Sequence, residues 1–407
     1  MAMRTRLLLA VAAAVLGGAP AGAQAPFPGD LPGEEIGGAL PASYEPSGAA
    51  WHPRLQRLLL VDDGGRLTLM DGHGGGAVHL LIPGAPGTDF EGVCVADPSD
   101  DRVYIGVEQP ARVLEVDAAT GALLRVFDLA AMDAGAPVNQ GLEALEFVPD
   151  AALPEGGLFL GGRQSDGRIF SYELPIKSSR ASTGAALVAD HPSPGGLADL
   201  SGLDYDESAG VLYAIHDGAD RLRALDPTGA TLLGEWMLPG NDQEGLALRG
   251  CQLWIAEDVG PEVWRYEGVL DAGGCPSLFA SGAALSLSAG GAIELLVDPG
   301  PGAAGFAFWI FGSASGTAPG IAVGGLVLPL AFDPYFVFTA SHPGPPPCAG
   351  FLGALGVHGT GAAALIAPPG ASPALAGLTL HHAFLAGPSL FAGPTHASLA
   401  VPLALVP

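Results

Sequence analysis

Between Pro46 and Gly268 short apolar runs alternate with polar turns, and one order keeps returning. A polar or acidic turn leads to a small residue that opens an apolar strand. A turn, a second apolar strand and a third strand with a basic or polar start follow. The pattern occurs in "PSGAAWHPRLQRLLLVDDGGRLTLMD" from Pro46, "FEGVCVADPSDDRVYIGVEQPARVLEVDAATGALLRVFDL" from Phe90 and "LEALEFVPDAALPEGGLFLGGRQSDGRIFSYEL" from Leu142. It returns in "LSGLDYDESAGVLYAIHDGADRLRALDPTGATLLGEWML" from Leu200 and "QEGLALRGCQLWIAEDVGPEVWRYEG" from Gln243. The opening small residues are Gly48, Gly92, Ala144, Gly202 and Gly245, spaced by 44, 52, 58 and 43. Runs such as "RVYIGV" and "QLWIAE" are rich in β-branched and aromatic residues. "DPSDD", "DESAG" and "DPTG" are Asp-led turns of the kind that close hairpins.

Repeats of this length with three or four strands predict the blades of a β-propeller. The reading is all-β: a five-bladed propeller, or a six-bladed one if "GAALVADHPSPGG" from Gly184 hides a degenerate unit. The last unit lacks a fourth strand after Tyr266, and "EEIGGALPASYEP" near the N-terminus is the segment able to supply it. After Cys275 the composition changes. Residues 276–407 hold no basic residue and only Glu294, Asp298 and Asp333 as acids. Short strands between Gly/Pro turns there predict a small antiparallel β-sandwich. The expected division is 1–23 signal peptide, 24–270 propeller and 276–407 sandwich.

The signal peptide rests on Arg4 and Arg6, the apolar run Leu7–Leu16 and Ala21-Gly22-Ala23 before Gln24. It predicts a protein that is secreted, periplasmic or on the outer cell surface, with no transmembrane segment after cleavage. An oxidising compartment permits disulfides. Of Cys94, Cys251, Cys275 and Cys348, the pair Cys251–Cys275 lies closest in sequence and is expected to bond. Formal net charge is −26, Lys177 is the lone lysine, and nothing after Arg265 is basic. A field of that sign repels nucleic acid and anionic membranes and suits cations. The partner it leaves is an unidentified small molecule or an envelope component.

In a propeller the first strand of every blade lines the axis. Ser47, Glu91, Glu143, Ser201 and Glu244, each just before the small residue, then form a ring at one mouth. Second strands end near Asp62, Asp63, Glu108, Arg163, Gln164, His216, Asp217, Glu257 and Asp258. Converging carboxylates cannot all stay ionised without compensation. An oxygen-only donor set favours a hard ion, Ca²⁺ above Mg²⁺. The metal candidates are Glu91, Glu143, Glu244, Glu257, Glu108 and Asp217, with Arg163 and His216 facing a substrate. Arg163 and Arg112 offer the alternative of neutralising part of the ring. The plainest alternative for any single acid is a turn cap. No zinc-type cysteine spacing and no G-x-S-x-G turn occur. His73 and His79 flank a glycine-rich stretch whose composition reads as a surface loop.

"DFEGVCV", "DLSGLDYDESAGVLYAIHDGADRLRALD" and "DQEGLAL…LWIAED" resemble the secreted propellers called SdiA-regulated proteins. They also resemble the group described as phytase-like, or esterase-like activity of phytase. The resemblance spans about residues 30–268 and implies a propeller able to bind calcium. Phosphate hydrolysis would need a basic cluster, whereas Arg163, Arg168 and Arg221 are scattered. Lactonase propellers use channel Glu, Asp and Asn ligands, and Asn139 and Asn241 with the ring glutamates supply those residue types. "GSASGTAPGI", "LPLAFDPYF", "PALAGLTLHHAF" and "SLAVPLALVP" resemble a C-terminal module of planctomycete-type secreted proteins, implying an accessory domain. Two functions follow: a calcium-associated binding or scaffold propeller, or a metal-dependent phosphoesterase or lactonase at the same mouth.

Overall fold

The computed structural model describes residues 25–270, 275–389 and 393–407. The expected signal peptide lies outside them. The described chain opens on β1 (Glu34–Glu35) and then builds sheets in sequence order. The first sheet holds β2 (Pro46–His52), β3 (Arg57–Asp62), β4 (Arg66–Met70) and β5 (Val78–Leu81). The second holds β6 (Phe90–Cys94), β7 (Arg102–Val107), β8 (Arg112–Asp117) and β9 (Ala122–Asp128). The third holds β10 (Leu142–Pro149), β11 (Gly157–Arg163), β12 (Ile169–Glu173) and β13 (Ala186–His191). The fourth holds β14 (Leu200–Asp206), β15 (Val211–His216), β16 (Arg221–Leu225) and β17 (Leu232–Met237). The fifth holds β18 (Gln243–Arg249), β19 (Gln252–Glu257) and β20 (Glu262–Tyr266), with β1 as its outer strand. The stretch from Gly184 thus supplies the outer strand of the third sheet.

Each sheet is an antiparallel meander, and its apolar faces pack on both neighbours. Val93, Val103 and Ile105 of the second sheet meet Ala50, Leu59 and Val61 of the first. Similar clusters join the second to the third sheet, the third to the fourth and the fourth to the fifth. A fifth cluster places Trp254 and Ala256 against Leu58 and Met70, so the last sheet packs on the first and the ring closes. This is a β-propeller.

The small residues have a steric reason. A Cβ on Gly92 would stand 2.4 Å from the Leu145 backbone nitrogen, and one on Gly245 would stand 2.9 Å from that of Ala49. Neighbouring innermost strands come too close for any larger side chain at these points.

Beyond β20, β21 (Leu278–Ala280), β22 (Ala284–Ser286), β23 (Gly291–Val297), β24 (Ala307–Ser313), β25 (Ile321–Val323) and β26 (Leu326–Leu328) follow. Then come β27 (Cys348–Ala349), β28 (Leu352–Ala354), β29 (Gly361–Ala367), β30 (Thr379–Gly387), β31 (His396–Ala397) and β32 (Val401–Val406). The sheet β21-β23-β29-β27 faces the sheet β22-β32-β30-β24-β28, and Leu295 and Val297 pack with Ile310, Phe384 and Leu403 between them. Two details differ from the sequence reading. The sandwich is mixed, because β22 runs parallel to β32. The stretch "DPYFVFTAS" is a helix, Pro334–Ser341, despite its aromatic content. Asp333 caps it by accepting the Phe336 N–H at 2.8 Å, and Pro334 fits the first turn, where no donor is needed.

The two regions meet on a buried ion pair. Arg249 reaches Asp298 Oδ2 at 2.5 Å, and the Arg249 guanidinium also lies over Trp51 and Phe279, each at 4.2 Å. Burial alone would raise the Asp298 carboxyl. His73, Arg249 and Arg265 outweigh it and hold the group below the usual carboxylate range. Nearby, Cys251 bonds to Cys275, as expected, joining residues 24 positions apart. Cys94 and Cys348 are free and buried, on β6 and β27.

The close approach of the innermost strands gives a direct test. Gly92→Ala is expected to destabilise the protein by about 1–3 kcal/mol, the range for overpacking a tight interior. Equilibrium urea unfolding measures it, and an unchanged midpoint would refute the steric account.

Candidate functional site: an acidic ring at one mouth

Every first strand of the propeller carries a β-bulge at the same point. The register skips between Pro46 and Gly48, Phe90 and Gly92, Leu142 and Ala144, Leu200 and Gly202, and Gln243 and Gly245. The skipped residues are Ser47, Glu91, Glu143, Ser201 and Glu244. A bulge re-aims the side chain it carries. Glu91, Ser201 and Glu244 line one axial cavity together with strand residues from all five sheets. Glu91 and Glu143 are buried and within hydrogen-bonding reach of one another, and Glu244 is half-buried. The two serines are satisfied locally: Ser47 Oγ donates to Asp63 Oδ1 at 2.6 Å, and Ser201 Oγ to the Gln243 carbonyl at 2.6 Å.

A second tier surrounds the ring. The N–H groups of Glu108, Asp217 and Asp258 donate to the carbonyls of Asp89, Asp199 and Asp242 at 3.1, 3.0 and 2.9 Å. Glu108 Oε1 accepts the Gly141 N–H, and Asp217 Oδ1 accepts the Gln243 N–H, both at 2.9 Å. Each of these two acids therefore holds the entry of the following sheet while adding charge near the ring. Oxygens of Asp63, Asp89 and Glu91 lie within 4.8 Å of one another.

The other three candidates sit elsewhere. Register places Arg163, His216 and Glu257 opposite the residue before each bulge, one position short of Gln164, Asp217 and Asp258. Side chains alternate along a strand, so one position reverses the face. Arg163 pairs with Asp166 at 2.6 Å and donates to the Ala134 carbonyl at 3.0 Å. The His216 Nδ1 lies 2.9 Å from the Ala198 carbonyl oxygen. Glu257 packs against the turn at Gly240. Nor do the arginines neutralise the ring: Arg112 takes Asp128 at 2.8 Å and Arg66 takes Asp62.

Electrostatics follow from this crowding. Burial, then the charges of Glu244 and Glu108, pushes the Glu143 carboxyl up to about 9. Burial, then Asp217, Asp258 and Asp199, pushes Glu244 up to about 9. Glu91 is raised well above its usual range by burial, Glu143 and Asp63. Without a cation the site must hold protons at neutral pH.

Sequence reasoning did not single out Asp89, Asp199 and Asp242. Their signal was present in "DFEG", "DLSG" and "DQEG", where an aspartate stands two residues before each bulged residue. It also missed the opposite end of the axis. There a cavity of about 420 Å³ is lined by Trp51, Glu146, Phe147, Lys177, Asp204 and Tyr205 among others. Glu146 and Asp204 stand three residues past the bulges of their strands. Burial and the Asp204 charge raise the Glu146 carboxyl well above its usual range, and burial does the same for Asp204. At the acidic mouth, by contrast, the axial cavity measures about 10 Å³, room for about one water.

The fold and site define a β-propeller with an acidic axial mouth. The sequence matches the family model described as "Phytase-like: Esterase-like activity of phytase" over residues 47–186, the span that carries Asp63, Asp89, Glu91, Glu108 and Glu143. A search of curated proteins finds no significant match. Among solved structures, the Myxococcus xanthus glutaminyl cyclase is similar at 13% identity and TM-score 0.40, over 55% of this chain and 90% of that one. A luciferin-regenerating enzyme shares 15% identity at TM-score 0.36, over 58% and 95% of the two chains. The Cps50 (Swd1) β-propeller domain of Myceliophteria thermophila shares 14% at TM-score 0.34, over 54% and 69%. Among the described residues, no helix is long and apolar enough to cross a membrane.

The raised carboxyls set the sign of the pH dependence. With chelator present, the folded protein keeps protons on Glu143 and Glu244 that the unfolded chain releases above its ordinary carboxylate range. Their contribution to stability is therefore complete in acid and is lost as pH rises from about 4.5 to about 9. The slope approaches 1.4 kcal/mol per pH unit for each group, an order-of-magnitude figure. The double substitution Glu143→Gln and Glu244→Gln should flatten a plot of unfolding free energy against pH. An identical slope in wild type and variant would count against protonated ring carboxyls.

Proposed function

We propose that the protein is an exported, calcium-associated binding propeller of the cell envelope or extracellular space. The observation that carries this is the cluster of Asp63, Asp89 and Glu91, whose oxygens lie within 4.8 Å of one another beside Glu143 and Glu108. The donors are hard oxygens on turns and strand ends, suited to the variable geometry of Ca²⁺. Arg66, Arg112 and Arg163 are engaged elsewhere, so the charge is relieved either by protons on the raised carboxyls or by a cation, and the clustered oxygens favour the cation. Asp63, Asp89 and Glu91 would hold the ion, with Glu143 next to them. Bound calcium would neutralise the mouth and present an ordered polar surface to a ligand. Export is supported by the form of residues 1–23 and by the Cys251–Cys275 bond.

Binding is preferred to catalysis because the axial cavity behind the acidic ring is too small for a substrate. The rival reading is a metal-dependent phosphoesterase or lactonase. It draws on the esterase-like description of the family model matched by residues 47–186. A calcium ion held by three carboxylates would also keep coordination positions open.

Thermal unfolding separates the outcomes. Ca²⁺ at 100 times its Kd should stabilise the protein by about 2.7 kcal/mol, and chelator should reverse the shift. Asp89→Asn should weaken the response at least about tenfold in Ca²⁺ concentration, since it removes one of the ligand charges that set affinity. A melting temperature indifferent to both Ca²⁺ and chelator would end the calcium reading. Calcium-dependent turnover of p-nitrophenyl esters or phosphates, lost in Asp89→Asn, would move the assignment to the hydrolase.

A further inference from the structure

The junction between the propeller and the C-terminal sheets holds a second cluster of a different chemistry. His73 follows β4 in the "DGHGGG" loop, and its side chain is only 4% exposed rather than out in solvent as the composition suggested. Asp71 fixes the loop by accepting the N–H groups of His73 and Gly75 at 2.9 and 2.8 Å. Gly74 has φ +82°, and a Cβ there would stand 2.1 Å from the Ile36 carbonyl oxygen. The loop is therefore pressed against the segment just after β1.

Neither ring nitrogen of this buried histidine has a hydrogen-bond partner. That is costly for an imidazole removed from water. Nδ1 faces Glu34 Oε2 at 3.7 Å, and Nε2 faces Asp298 Oδ1 at 3.8 Å, itself buried and unpartnered. His358, from the turn between β28 and β29, stacks on His73 with ring centroids 4.8 Å apart and planes at 24°. One ligand atom from each of Glu34, His73 and His358 lies within 4.8 Å of the others.

The geometry points to a zinc-type site formed by His73 Nδ1, a nitrogen of His358 and the Glu34 carboxylate. Two ligands about 2.0–2.1 Å from a tetrahedral ion stand roughly 3.4 Å apart, close to the observed separation of His73 and Glu34. Two imidazoles and one carboxylate suit a borderline ion such as Zn²⁺ and leave a fourth position for water. Asp298, 3.8 Å from Nε2, stands where the carboxylate behind a metal-bound histidine would, and a small closure on metal binding would let it accept the Nε2 proton. Charge is compatible. Glu34, Glu267 and Asp298 formally oppose Arg249 and Arg265, with one negative charge remaining, although Arg265 also reaches Glu34 Oε2 at 3.3 Å. The ion would tie the closing strand, the first sheet and the C-terminal region at one point.

The probe is Co²⁺ alone, titrated into the full chain with Ca²⁺ saturating, so that the acidic mouth does not contribute. Visible absorption and calorimetry read binding. Wild type should take up one ion per chain with a four-coordinate nitrogen–oxygen spectrum, and Zn²⁺ should displace it. His358→Ala, at an exposed position, should weaken uptake at least about tenfold with unchanged melting in chelator, and Glu34→Gln should weaken uptake by a similar factor. Glu91→Gln should bind Co²⁺ as wild type does, which separates this site from the calcium one. Absence of uptake by wild type, or wild-type affinity in His358→Ala, would overturn the assignment.

Discussion

The close approach of the innermost strands is the constraint on which the rest of this molecule depends. Packing first strands around an axis leaves no space for a Cβ at Gly92 or Gly245. Immediately before each small residue the backbone carries one inserted residue. That inserted residue cannot continue the ladder, and its side chain is turned toward the axis. Where the chain places serine there, a local hydroxyl bond suffices. Where it places glutamate, charge is concentrated at the mouth. Architecture and electrostatics thus meet at the same positions, the openings of the innermost strands at the centre of the ring.

Much of this was legible in the sequence because the repeat is written in residue types with few alternatives. The small openings and the acid or serine before them identify equivalent positions, and these became the propeller and its ring. The second tier was harder to read. "VEQ" and "AED" look like equivalent strand ends, yet Glu108 corresponds to Asp258 and not to Glu257. A shift of one residue is invisible in a quoted string but reverses a side chain in a sheet. Glu257, Arg163 and His216 were therefore placed at the mouth and are found on the other face. His73 was obscured for another reason. Its loop has the composition of an exposed turn, and the segment after β1 together with the C-terminal region buries it.

The two acid-rich ends of the axis differ in what surrounds them. At one, carboxylates crowd a passage that admits a single water. At the other, Glu146 and Asp204 face a roomier cavity among aromatic residues. The junction with the C-terminal region obeys a third logic. Its charges are buried in opposite-sign pairs, and the Arg249 guanidinium is sandwiched by aromatic faces. Such pairs are costly to break singly and therefore fix one arrangement of the parts.

Glu34 and Glu35 complete a sheet whose other strands end at Tyr266. Glu34 and Arg265, 231 positions apart, are partners across that seam. During synthesis, the earliest described strand must wait until nearly all of the propeller has been made before its partner exists. Contacts of such high sequence separation are slow to form and leave strand edges open meanwhile. The ring therefore cannot lock until the strand that carries Arg265 has been made.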